Sequence, residues 1–258
     1  MLRRVLERLS RDVVLRRALP AEFHGQSLYV SPDVRLAYFL QSVGRAERRL
    51  LEWAKEWVGP GESVWAIGAD CGVFAMAAAV RSGATGRVLA IEPDPFLAGL
   101  LRRSAEQLGA PDARFDVLQA AVAENPGRTT LHVARRGRAA SWLAGSAPSA
   151  RAGGARSRVE VEAVTLDGVL ERFAPPTVVR IDVPGSEASL LRGAARLLGE
   201  VRPTLLLEVS TSSRVEVTRQ LTSNSYQLFD ARMNPGDRLR LDTAVADTLA
   251  LPGRPLSG

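Results

Sequence analysis

The 258-residue chain reads as an α/β protein built on a doubly wound, mostly parallel sheet with an N-terminal helical extension. Three observations carry this. A short apolar strand, Val64 to Ile67, runs into a turn bracketed by Gly68 and Gly72, and a run of small residues, Val73 to Val80, follows as a helix. A second strand, Arg87 to Ile91, then ends in Glu92, twenty-four residues past Gly68. Beyond residue 165, strands and helices alternate again. In such sheets a ligand sits beyond the carboxyl ends of the strands, where the strand order reverses. That puts Gly68–Gly72, Glu92, Gln119–Ala121 and Asp182 along one rim.

Residues 2–18 have helical spacing, with Leu2, Val5, Leu6, Leu9 and Val13 on one stripe and arginines opposite. Pro20 ends this expected helix, and the aromatic-rich stretch 22–43 reads as an irregular cap. A second helix, 45–58, carries Leu50, Trp53, Ala54 and Trp57, and Gly59-Pro60-Gly61 breaks it. Residues 1–58 thus form an extension or cap, and 59–258 the main domain. After Glu92, Pro93-Asp94-Pro95 opens a helix to about Gly109, and a third strand follows at 115–121. Thr129–Ala134 and Val159–Val164 read as paired strands, joined by a basic loop that is either a solvated excursion or an anion-binding lid. Thr165 caps a short helix, Leu166–Phe173. Then come a strand at 177–182, a helix at 186–198, a strand at 204–209, a helix at 214–224 and a strand at 226–229, with 248–251 as a final edge strand.

Composition narrows the classes. Cys71 is the sole cysteine, so no internal disulfide forms. No apolar run reaches the roughly 18–20 residues of a membrane span. Glu7 and Asp12 interrupt the N-terminus, so a signal peptide is not expected, and the location read from this is cytoplasmic. The net charge of +6 lies in the basic loop 134–158, whose six arginines face no acid within the loop. Arginine accounts for all but one of the basic residues, so this asymmetry leaves nucleic-acid binding as a minor reading.

The turn Gly68-Ala69-Asp70-Cys71-Gly72 lacks the third glycine of a dinucleotide fingerprint, and the lone lysine, Lys55, is far from any P-loop. With one cysteine and two separated histidines, no metal site is expected. What remains is a site for an adenosine-bearing ligand, with an acid for its ribose. The segments Ile67–Gly72, Ile91–Pro95, Val164–Asp167, Arg180–Glu187 and Leu206–Val209, in this order and spacing, resemble the FkbM-type S-adenosylmethionine-dependent methyltransferases. The resemblance covers roughly residues 60–230 and implies a seven-strand, Rossmann-like class I methyltransferase sheet. It also implies S-adenosylmethionine as cofactor and methylation of a hydroxyl on a sugar, glycolipid or natural product.

Carried onto this chain, it implies that Gly68, Ala69, Asp70 and Gly72 form the turn at the methionine end of the cofactor. Glu92 would take the ribose hydroxyls, and Gln119 and Ala120 would border the adenine. Asp182 is the expected catalytic base, with His132 as a second choice and Glu187 and Glu208 as lesser candidates. The sequence departs from the family pattern at Ala66, where an aspartate is usual, and at Pro184, where a glutamate is usual. Those departures keep a catalytically degenerate binding protein open as the alternative. A nucleic-acid methyltransferase is the third reading.

Overall fold

The computed structural model describes residues 6, 7, 9–146, 148 and 152–253. In chain order these give β1 (Leu15–Ala18), β2 (Ser27–Val30), α1 (Val43–Ala46), α2 (Arg48–Trp57), β3 (Ser63–Ile67), α3 (Val73–Ser82), β4 (Arg87–Ile91), α4 (Pro95–Ala105) and β5 (Arg114–Leu118). Next come β6 (Ala121–Val122), β7 (Gly127–Ala134), β8 (Trp142–Leu143), β9 (Ala155–Val164), α5 (Leu166–Leu170), β10 (Val178–Ile181) and α6 (Glu187–Arg192). The chain closes with β11 (Thr204–Glu208), α7 (Arg214–Ser223), β12 (Tyr226–Asp230), β13 (Arg240–Leu241) and β14 (Asp247–Pro252).

The main sheet has the order β13-β12-β14-β11-β10-β3-β4-β5. From β5 to β11 every pair is parallel, and β14, β12 and β13 add antiparallel strands. Seven strands match the expected sheet; the eighth, β13, is a two-residue edge. Strand order reverses at β3, between β4 and β10, so the carboxyl ends of these strands flank the switch point. Each sheet face buries its own apolar cluster. Val64, Ala66, Val88 and Ala90 pack with α3 on one face, while Trp65, Ile67, Val179 and Ile181 pack with α6 and α7 on the other. Strands buried on both sides need near-continuous apolar runs, which is why β3 and β10 are so legible.

Several expectations change. Residues 15–18 are not helical: half-buried and exposed positions alternate there, and the segment pairs antiparallel with Ser27–Val30. A period of two wins once a partner strand is available. Of the rest of the expected 2–18 helix, residues 2–5 and 8 lie outside the described residues. The stretch 22–43 contains β2 and two short 3-10 turns, and it packs through Phe23, Leu28, Val30 and Tyr38 against the same core as β3 and α3. The third strand stops at Leu118, and Ala121–Val122 joins a second sheet of order β6-β9-β7-β8. The helix after Ser186 ends at Arg192, where Gly193 lies so close to the segment following β6 that a Cβ would sit 2.6 Å from the Ala123 carbonyl. Strand β14 lies between β11 and β12, not at the edge. The described residues of the basic loop 134–158 are not a simple excursion: β7 and β9 extend into it, and it contributes β8.

Candidate active site

At the switch point the chain builds one cleft at the carboxyl ends of β3, β4 and β10, walled on its far side by residues 138–143 of the basic loop. Gly68, Asp70, Glu92, Ala120 and Asp182 all line it. Ala69, Gly72 and Gln119 are not among the lining residues. Ala69 is buried, and the Gln119 side chain turns to Arg102 at 3.4 Å. His132 stacks on Trp142 at 5.1 Å and does not line the cleft.

The glycine turn owes its shape to close packing. Gly68 has φ 67°, and a Cβ there would lie 1.9 Å from the Asp182 carbonyl oxygen, so only glycine lets β3 end against β10. Gly72, at φ 82°, sits at the start of α3, where a Cβ would meet Leu101 at 2.4 Å. Between them, Asp70 adopts φ 51°, a left-handed conformation that aspartate and asparagine tolerate better than most residues.

Glu92 ties two turns together. Its Oε2 accepts from the Asp70 backbone N–H at 3.0 Å, and its Oε1 accepts from that of Asp94 at 2.9 Å. Each oxygen keeps a further acceptor position, so the carboxylate can still receive two hydroxyls. It is 5% exposed. Burial pushes its carboxyl well above the usual carboxylate range; the Asp70 charge adds to this, and the two N–H bonds oppose it. Burial and the Asp182 charge raise Asp70 to about 7, with Arg180 pulling the other way. Burial likewise raises Asp182 to about 6; Arg180 lowers it and Glu208 raises it. Three carboxyls crowded on one rim make a site that a cation would relieve.

Sequence reasoning missed Arg180. On β10, between Val179 and Ile181, it donates through Nη1 to the Gly68 carbonyl at 3.2 Å. Its Nη2 reaches Asp182 at 2.6 Å and Glu208 at 3.1 Å. The signal the sequence offered was a lone charge inside an otherwise apolar strand, Val178–Ile181, all of it buried in the structure. Glu187 is engaged elsewhere: it accepts from the Ser210 N–H at 2.9 Å and the Ser213 hydroxyl at 2.7 Å.

The basic loop folds over the cleft as a strap. Arg138 donates to Asp33 at 2.9 Å and to Asp94 at 2.5 Å, and its guanidinium stacks on Phe96 at 4.4 Å. Arg156 also pairs with Asp33, through Nη1 at 3.0 Å. At the other end of the strap, the Ser146 and Ser186 hydroxyls meet at 2.8 Å. These arginines therefore satisfy buried carboxylates: Asp33 is 2% exposed. Their partners lie 105, 44 and 123 residues away in sequence, so no local pattern announced them.

Among the described residues, no helix is long and apolar enough to cross a membrane. A search of curated proteins gives no match. Among solved structures, the chain is similar to the methyltransferase FkbM of Methylobacillus flagellatus KT, at 20% identity and TM-score 0.46, over 78% of this chain and 50% of that one. It thus spans half the length of that protein. A fibrillarin of Aeropyrum pernix with natively bound S-adenosyl-L-methionine is 13% identical, with TM-score 0.45 and 92% of each chain covered. A SAM-dependent O-methyltransferase of Thermotoga maritima is 14% identical, with TM-score 0.43, over 81% of this chain and 67% of that one. The methyltransferase FkbM domain profile matches residues 67–229, more than half of the chain. The protein belongs to the FkbM methyltransferase family.

Proposed function

We propose that the protein uses S-adenosylmethionine to methylate a hydroxyl oxygen of a sugar, glycolipid or natural-product acceptor. The observation that carries this reading is Glu92, buried at the end of β4 on the cleft wall with acceptor capacity left on both oxygens. The residues present fit the cofactor's chemistry. Glu92 suits the ribose hydroxyls, and Ala120 with the apolar wall around Ile91 and Val122 suits an adenine. Asp70 and Asp182 suit a ligand carrying positive charge, because their own mutual repulsion is what such a ligand would offset.

When bound, the cofactor supplies a methyl group on a positively charged sulfur, together with its own leaving group. The chain's share is alignment, exclusion of water by the strap, and acceptance of a proton. Asp182 is the base in this reading: held near 6, it is ionised at neutral pH yet basic enough to take the hydroxyl proton. In the same reading, residues 59–258 form the methyltransferase domain, residues 1–58 an N-terminal extension or cap, and the protein works in the cytoplasm.

Calorimetric titration with S-adenosylmethionine tests this. Saturable binding that weakens at least about tenfold in Glu92→Gln is expected, and unchanged affinity in that variant defeats the site assignment. A second reading, a binding protein without transferase activity, is favoured by Pro184, which stands in the cleft wall without a carboxylate or a backbone N–H to offer. Labelled methyl groups appearing in any product of an acceptor screen would exclude it.

A further inference from the structure

Arg180 is an anomaly of composition and packing. Its side chain is 4% exposed, in a strand that is otherwise apolar, at the centre of the sheet. Room for it comes from its register neighbours, Ala66 on β3 and, beyond that, Ala90 on β4. Burying a guanidinium is expensive even when it is paired, and an apolar residue of similar volume is often more stable in such a place. Here the burden is greater, because Nε is buried without a partner among the described residues. An arginine kept where its own donors are not all satisfied points to what its other end does.

That other end gathers three elements. One Nη holds the carbonyl of Gly68 in the turn after β3, and the other is shared between Asp182 after β10 and Glu208 at the end of β11. Only Oδ2 of Asp182 and Oε1 of Glu208 are used, so Oδ1 and Oε2 lack a donor among the described residues. Both carboxylates reach solvent, at 20% and 34% exposure, while the arginine beneath them does not.

We propose that Arg180 is the positioning residue of this site, holding Asp182 and Glu208 as a fixed pair so that Asp182 meets the acceptor hydroxyl as an ionised base. This rests on the function proposed above. The step it serves is a proton transfer: the acceptor O–H bond breaks and an O–H bond forms on Asp182, leaving the electron pair on the acceptor oxygen. The charges facing Asp182 are Arg180 on its own strand, Glu208 on β11, Asp70 after β3 and Glu187 on α6, with Glu47 and Arg49 beyond them.

The test follows the Asp182 carboxyl directly, by carbon-13 NMR titration of aspartate-labelled full-length protein, with Asp182→Asn assigning the resonance. Arg180→Gln is expected to raise the Asp182 midpoint by about one pH unit or more, and Arg180→Lys to stay within about half a unit of wild type. Glu208→Gln is expected to move it down, since a like charge is lost. A merely structural tie would lower the melting temperature in both Arg180 variants and leave the midpoint in place; an unshifted midpoint in folded Arg180→Gln overturns the proposal. If Arg180→Gln does not fold, Glu208→Gln decides, and no downward shift there overturns it equally. Absence of methyl transfer by the wild type would count against the proposed function alone, because the titration needs no acceptor.

Discussion

The clearest quantitative consequence concerns Asp70. No side chain or backbone group among the described residues donates to its carboxylate, and burial with the neighbouring Asp182 raises it to about 7 from 3.8. A carboxyl that binds its proton more tightly in the folded state favours folding at low pH. That contribution is lost as pH rises from the unfolded value, near 4, through the folded value, near 7. Between about pH 5 and pH 8 the wild type should therefore lose about 2–3 kcal/mol through this one group. Asp70→Asn removes the charge while keeping a residue that tolerates φ 51°. The variant should be the more stable protein at about pH 8, with the gap narrowing by about 2–3 kcal/mol at about pH 5. For a chain of this size that is a difference of roughly 5–10 °C in melting temperature, readable by urea or thermal unfolding at the two pH values. Parallel pH slopes for the two proteins would refute the reasoning, since they would mean that Asp70 is ionised at no cost in the folded state.

Four further outcomes are expected. S-adenosylmethionine should bind about three- to tenfold more tightly as pH rises through 6–7 and Asp70 and Asp182 ionise, whereas its uncharged thioether product should show a flat profile by calorimetry. Gly68→Ala should cost several kcal/mol, about 1–2 of it from the left-handed backbone, and shift the urea midpoint accordingly. Gly59→Ala, whose Cβ would meet nothing within 4 Å, should be near neutral. Asp33→Asn should leave Arg156 without a charged partner, cost about 3 kcal/mol, and speed tryptic cleavage within 135–156 by about tenfold or more; an unchanged digestion rate would show that the strap does not depend on this carboxylate.

The parts of the fold that could be read from the sequence are those set by neighbours in sequence. The apolar runs of β3 and β10, the glycines at 68 and 72 and the acid after β4 follow from local rules, and the cleft assembles around them. Thr165 caps α5 as its position implied, accepting from Gly168 N–H at 3.0 Å. What escaped depends on distant partners. Leu15–Ala18 has a helical pattern until Ser27–Val30 offers a ladder, and β14 finds its place between β11 and β12 only after both exist. The walls of the cleft were the least legible of all. Residues 138–143 close it because Arg138 finds Asp33 and Asp94, and neither pairing leaves a periodic trace in the chain.

The same pairings change what the net charge of +6 means. Six arginines in residues 134–158 form a patch for phosphate only if they share a surface. Arg138 and Arg156 do not contribute to one, since both turn inward to Asp33 and are 12% and 13% exposed. Arg180 is similarly consumed by Asp182 and Glu208, and Arg238, 8% exposed, by Glu56. The overall charge is unaltered by such pairing, because every acid drawn inward leaves a base unmatched elsewhere. At the cleft the balance is different: its charged lining groups are Asp70, Glu92, Asp94 and Asp182, with Arg138 as the one base. As Asp70 and Asp182 ionise, a rim of that sign becomes more attractive to a cation and less so to a phosphate. At the site itself, then, what an incoming ligand meets is set by the cleft's carboxyls and not by the arginine count.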